Sequence, residues 1–207
     1  MKEIVRVTEG TSEACSKVLA ETFQDHPLSK WMFRSEANRH KKLLFLSRGL
    51  LRCVLHRAEV MTTPDCEACF VYLTPSQAEP SDWEYVKSGW WKAPFKLRPD
   101  EIARLMRFNG RLADLHGRLM PEAHFYLLVI GVKPELQGQG LGQKMMELLL
   151  EQADRQSMPV YVETQTQRVL PLLRRNGFEI SVDETLPGSS VRHWVLSRPI
   201  QRSGTGL

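Results

Sequence analysis

Residues 137–142, Gln137-Gly138-Gln139-Gly140-Leu141-Gly142, combine what is needed to hold a phosphate with main chain alone. Alternate glycines let the backbone turn tightly with no Cβ in the way, so several N–H groups can aim at one point. An amphipathic helix runs on from about residue 140 to 155. Its first-turn N–H groups have no partner within the helix and carry the positive end of its dipole. Glycine turn and helix start together make a cradle for a phosphate or diphosphate. An apolar strand over 124–132 leads into it, and Pro134 ends that strand.

Other phosphate loops fit the same residues less well. A Walker A loop needs Gly-Lys-Ser/Thr at its end, whereas Gly142 is followed by Gln143-Lys144-Met145. The dinucleotide fingerprint Gly-x-Gly-x-x-Gly comes nearer, and Glu163 at the end of the next strand is placed to be its ribose-binding acid. Gln143 stands where its third glycine belongs, however, and Lys133-Pro134-Glu135-Leu136-Gln137 separates strand from glycines. A glycine-rich turn without function would not need three glycines in five residues opening a strong helix.

The elements that must position this loop follow from periodicity. Residues 3–8 alternate as a strand. Thr11 is a possible cap for a helix whose apolar face is Ala14, Val18, Leu19 and Phe23, ending before Pro27. Ser35 can cap a longer helix carrying Leu43, Leu46, Leu50, Leu51, Val54 and Leu55. Residues 57–63 and 67–74 read as strands around the turn Pro64-Asp65. From Pro75 to Pro99 the pattern breaks into prolines, charges and the aromatics Trp83, Tyr85, Trp90, Trp91 and Phe95. Helical spacing returns from Pro99, with Gly110 and Gly117 expected to weaken or interrupt it. After the 140–155 helix come a strand over 159–165, a short helix near 168–176, and strands over 177–184 and 190–197.

Composition limits the function classes. A chain of 207 residues, 42% hydrophobic and 25% charged, suits one domain, assigned here to 1–200 with a frayed tail at 201–207. The formal charge of +4 comes with no basic stripe beyond Arg39-His40-Lys41-Lys42, so no nucleic-acid partner is expected. No run reaches the roughly 18 apolar residues of a membrane span, and the alternating start 1–7 lacks a signal core, which predicts a cytoplasmic protein without a membrane partner. Cys66 and Cys69 have the spacing of half a zinc site, but no second pair matches it, and no metal is expected.

Gln137-x-x-Gly140-x-Gly142 after a strand resembles the acyl-coenzyme A motif of the GNAT superfamily of N-acetyltransferases. From Phe125 to Pro199 the chain is similar to the puromycin N-acetyltransferase-like branch. The shared pieces are Gly131-Val132-x-Pro134, Val162-Glu163-Thr164, Pro171, Asn176-Gly177-Phe178, Trp194 and Arg198-Pro199. The resemblance implies an α/β fold with a central, mixed, mostly antiparallel sheet flanked by helices, and acetyl-CoA as co-substrate. It places main chain of Ile130, Gly131 and Val132 along the pantetheine arm, with an N–H near Ile130 stabilising the oxyanion. Gln137, Gly138, Gln139, Gly140, Leu141, Gly142 and Gln143 would hold the pyrophosphate. Thr166 falls at a polar position near the arm, and Leu172 where a Phe often packs. The family's usual Tyr, which protonates the departing thiolate, is replaced by Leu173, so Tyr161, Tyr126 or a water must substitute or turnover is weak.

Acetyl transfer implies an acceptor amine that must lose a proton before it attacks. Glu163 is either that base or a structural carboxylate; His124 and His193, expected exposed at strand edges, are secondary candidates. Tyr72, Trp83, Trp90 and Trp91 are candidates to line an amine pocket, against the alternative of a satellite core. The expected activity is acetyl transfer to a primary amine of a small molecule by a monomer or homodimer. A catalytically weak acyl-CoA-binding protein and a protein-amine acetyltransferase remain alternatives.

Overall fold

Strand β3 (Ala68–Leu73) is buried at every position, which a strand achieves only when both faces of its sheet are covered. The computed structural model describes residues 3–77 and 81–201. It shows a seven-stranded sheet in the order β1-β2-β3-β4-β5-β7-β6. The remaining strands are β1 (Val5–Arg6), β2 (Glu59–Thr62), β4 (Phe125–Val132), β5 (Val160–Thr164), β6 (Glu179–Thr185) and β7 (Arg192–Arg198). Among the described residues only β4 and β5 run parallel; the other neighbours are antiparallel.

Alternation along the strands divides the core in two. Phe70, Tyr72, Phe125, Leu127, Val160 and Val162 turn to one face, under Met145, Met146 and Leu149 of α7 (Leu141–Arg155) and Leu170 and Leu173 of α8 (Leu170–Arg175). Cys69, Val71, Tyr126, Tyr161 and Val195 turn to the other. There they meet Leu19 of α1 (Glu9–Thr22), Leu51 of α3 (Glu36–Val54) and Leu115 of α6 (Pro99–Leu119). A third cluster, with Phe33, Leu43, Leu97 and Leu105, binds the helical layer to itself.

Several expectations are corrected. Thr8, not Thr11, caps α1: its N–H donates to Thr11 Oγ1 at 2.9 Å, so Thr11 serves as the partner in the first turn. An unforeseen short helix, α2 (Pro27–Met32), follows α1 with Pro27 in its first turn, where the missing N–H costs nothing. The irregular 75–99 stretch contains α4 (Asp82–Lys87), a 3-10 turn at Trp90–Lys92 and α5 (Ala93–Lys96). Gly110 and Gly117 do not interrupt α6, whose amphipathic face outweighs their propensity. Of the expected tail, 202–207 lies outside the described residues. No helix among the described residues is long and apolar enough to cross a membrane.

Candidate active site

The site is built on a fork. Strands β4 and β5 pair only at Phe125 with Val160, Tyr126 with Tyr161 and Leu127 with Val162. Beyond that, β4 stays with β3 and β5 with β7. At the branching point β4 carries a bulge: Val71 faces Val129 and Tyr72 faces Leu127, which leaves Leu128 as the extra residue. Lys133 N–H donates to Glu67 O at 2.9 Å, and this fixes the phase of the antiparallel ladder. Gly131 is therefore turned to its partner Cys69, and the main-chain groups of Ile130 and Val132 face the fork. Of the three residues expected along the arm, Ile130 and Val132 present that edge. Gly131 serves differently: a Cβ there would stand 2.9 Å from Leu19 Cδ2, so its absence lets α1 pack close against β4. Thr22 Oγ1 and Gln137 Nε2 both donate to Val132 O at 2.9 Å, which leaves the N–H of Val132 and both main-chain groups of Ile130 along the edge.

The glycine turn follows. Gly138 (φ +80°) and Gly140 (φ +87°) lie in the left-handed region that glycine alone enters freely, and nothing stands within 4 Å of where their Cβ would be. Gly140 caps α7, and its O accepts the first helical bond, from Lys144 N–H at 3.0 Å. The N–H groups of Leu141, Gly142 and Gln143 precede that first bond and are the orphan donors of the helix start. The side chains around them hold the turn. Gln139 Nε2 donates to Glu135 O at 3.1 Å, and Gln143 exchanges amide hydrogen bonds with Asn176 at 3.1 and 2.9 Å. Gln137 Oε1 accepts from Arg168, in the loop after β5, so a cation crosses the open end of the fork. Arg168 was not apparent from the sequence, because only the fold brings it to the turn. A cavity of about 360 Å³ lies on the loop, lined by Leu136, Gln139, Gly140, Leu141, Gln143, Lys144 and Glu147. Open left-handed glycines, orphan helix N–H groups and two adjacent cations suit a diphosphate.

Glu163 lies half-buried on the other arm of the fork. Tyr161 OH donates to its Oε1 at 2.6 Å and Tyr126 OH to its Oε2 at 3.4 Å. The His116 ring stacks on Tyr161 at 4.7 Å, and its Nε2 lies 2.6 Å from His124 Nε2. His124 Nδ1 is 2.6 Å from Glu122 O, which can only accept, so in the neutral ring His124 Nε2 accepts from His116. Helix α6 roofs this face: Phe108 stands beside His193 and Arg111 binds Glu184 of β6, while His116 reaches the tyrosines. Thr166 precedes the 3-10 turn Gln167–Val169, its N–H on Thr164 Oγ1 at 3.3 Å.

Of the expected acceptor residues, Tyr72 is separated from Glu163 by the sheet. Tyr72 is buried on the opposite face under α7, its hydroxyl bonded to Gln152 and its pKa pushed up to about 12 by burial. Trp83 and Trp91 are exposed, 63% and 57%, and Trp90 packs against Gly49 of α3. Trp90 packs in the helical-layer cluster that also takes in Phe108, and α4, which carries Trp83, contacts α3. His193, expected to be exposed, is fully buried because the β6 edge strand and α6 cover β7. Leu173 points into the core under α7, whereas Leu172 lies beside Gly142. Cys15, Cys66 and Cys69 are free thiols gathered beside Thr62.

Residues 68–178, more than half of the chain, match the acetyltransferase (GNAT) family, and the chain belongs to that family. The chain is 22% identical over 179 residues to an uncharacterized N-acetyltransferase of Schizosaccharomyces pombe, covering 84% of this chain and 72% of that one. Its fold is shared by a Corynebacterium glutamicum structure described as histone acetyltransferase HPA2 and related acetyltransferase, with TM-score 0.67, 16% identity and 99% of each chain covered. Arylalkylamine N-acetyltransferase 2 of Aedes aegypti superposes with TM-score 0.61 at 12% identity, over 96% of this chain and 99% of that one. Acetyl-CoA is the usual co-substrate of the family, and acetyl transfer is the activity that membership indicates.

Proposed function

We propose that this protein transfers acetyl from acetyl-CoA to a primary amine of a small molecule by direct attack through a tetrahedral intermediate. The observation that carries the reading is the fork. Its β4 arm offers a free main-chain edge running into a phosphate cradle, and its β5 arm offers a carboxylate held by two tyrosine hydroxyls. The Ile130–Val132 edge would pair with the pantetheine arm as an added strand does. The N–H of Ile130 would stabilise the oxyanion where charge develops. Residues 137–143, with Arg168, would hold the pyrophosphate.

Glu163 would take the proton that the amine must lose. With Leu173 buried, the tyrosines on Glu163 are the natural acid: a hydroxyl gives its proton to the departing thiolate and regains one from Glu163. A small-molecule acceptor is supported by the roof of α6 over Glu163 and by the resemblance of 125–199 to the puromycin N-acetyltransferase-like branch. The buried Leu173 favours one other reading, a catalytically weak acyl-CoA-binding protein. Titration with acetyl-CoA followed by a panel of amines, with free thiol monitored, tests both. Amine-dependent thiol release supports the transferase; binding without release from any amine leaves the binding protein; no binding overturns both.

A further inference from the structure

His193 lies fully buried on the sheet face that carries Glu163. In the β5–β7 ladder Glu163 faces Val195 and Thr164 faces Trp194, so Gln165 comes opposite His193 one step past the end of β5. Facing pairs in an antiparallel ladder share a face, which makes His193 a diagonal neighbour of Glu163. Gln165 Nε2 is 2.9 Å from His193 Nδ1. An amide nitrogen only donates, so Nδ1 accepts, and the proton of the neutral ring sits on Nε2. Burial lowers the His193 pKa to about 4, so the ring is neutral at pH 7.

That Nε2–H is buried and meets no acceptor among the described residues. Glu184, opposite on β6, is turned to Arg111 at 2.8 and 2.5 Å. The Phe108 ring stands edge-on at 6.4 Å and has no lone pair to give. Buried donors in folded proteins are nearly always paired, and an orphan beside a reactive carboxylate suggests a partner that arrives with the ligand.

Building on the acetyltransferase reading, we propose that His193 determines acceptor specificity by donating its Nε2–H to a neutral oxygen of the acceptor, such as an amide carbonyl, ether or hydroxyl. A carboxylate is disfavoured there. Arg111 is already engaged by Glu184 and by Asp114 at 2.7 Å, and Glu163 and Glu184 share the face. The acceptor thus has two ends, an amine at Glu163 and an uncharged oxygen at His193.

The test compares phenylalaninamide with 2-phenylethylamine, which lacks the carbonyl, through their ratio of kcat/KM at one pH. The amide's amine is the more acidic, but that affects wild type and variant alike, so the change in the ratio reads the side chain. In His193→Leu the ratio should fall about ten- to a hundredfold, and in His193→Gln, which keeps a donor, it should largely recover. If the Leu variant no longer binds acetyl-CoA, Gln165→Leu replaces it: Nδ1 is then free to take the proton, and the ratio should still fall. An unchanged ratio in a variant that binds acetyl-CoA overturns the proposal and assigns Nε2–H to a buried water. Thiol release from neither amine, nor from any other, by wild type would overturn the transferase reading itself.

Discussion

Gly140→Val separates the cradle from the scaffold that carries it. Gly140 sits at φ +87° with nothing within 4 Å of its missing Cβ, so the substitution meets no clash and its cost is backbone strain. A left-handed residue with a side chain costs about 1–2 kcal/mol. For a chain of this size that lowers Tm by roughly 2–8 °C, at about 2–4 °C per kcal/mol. On the cradle reading the N–H groups of Leu141, Gly142 and Gln143 converge on that open side, and the new methyl groups would obstruct it. Losing one hydrogen bond to a charged group costs about 1.5–3 kcal/mol. That weakens acetyl-CoA binding by roughly ten- to a hundredfold, at 1.4 kcal/mol per decade. Gly110→Ala is the control: it lies within α6 with open space around it, and should stabilise the fold by about 0.5–1 kcal/mol without touching affinity. Calorimetric titration and thermal unfolding of both variants give the answer. A Gly140→Val protein that is less stable but binds acetyl-CoA with wild-type affinity would refute the cradle.

Glu163→Gln should lower kcat by about 10²–10⁴ while leaving acetyl-CoA affinity nearly intact, since it removes the base and keeps the shape; an unchanged kcat from pH 6 to 9 would exclude the role. Gly49→Ala would place a Cβ 2.3 Å from Trp90 Nε1, and should destabilise the protein by about 1–3 kcal/mol in urea titration, with Trp90 displaced and tryptophan emission altered. Hydrogen bonding by Arg111 holds the Glu184 carboxyl below its ordinary value of 4.5, so this pair stabilises fully above that pH and its contribution fades as pH falls towards the folded pKa. Glu184→Gln should flatten the acid limb of stability against pH; an unaltered limb would count against the pair. Burial lowers His26 and His193 from 6.5 to about 4, so the unfolded chain binds their protons first. Stability should decline from pH 6.5 towards pH 4 by up to about 1.4 kcal/mol per pH unit for each ring, and less steeply in His26→Gln; equal slopes would show that His26 is not the cause.

The sequence by itself determined the glycine turn and most of the elements. Alternate glycines between an apolar strand and an amphipathic helix are a local pattern, and their backbone requirement is met within six residues. Strands and long helices were legible for the same reason, since period and capping are local properties. Tertiary structure decided what depends on residues far apart in the chain. The phase of β4, set by its ladder with β3, assigned the free edge to Ile130 and Val132 and turned Gly131 towards Cys69. Alternation across a sheet covered on both faces put Tyr72 under α7 and Glu163 on the opposite side. Helix packing, too, decided that Trp90 lies against Gly49 of α3 while Trp83 and Trp91 stay exposed. Arg168 reached the glycine turn, and His193 became a buried neutral donor, through contacts spanning 31 and 28 residues of chain. No window of sequence records such contacts, because they exist only once the strands have taken their places.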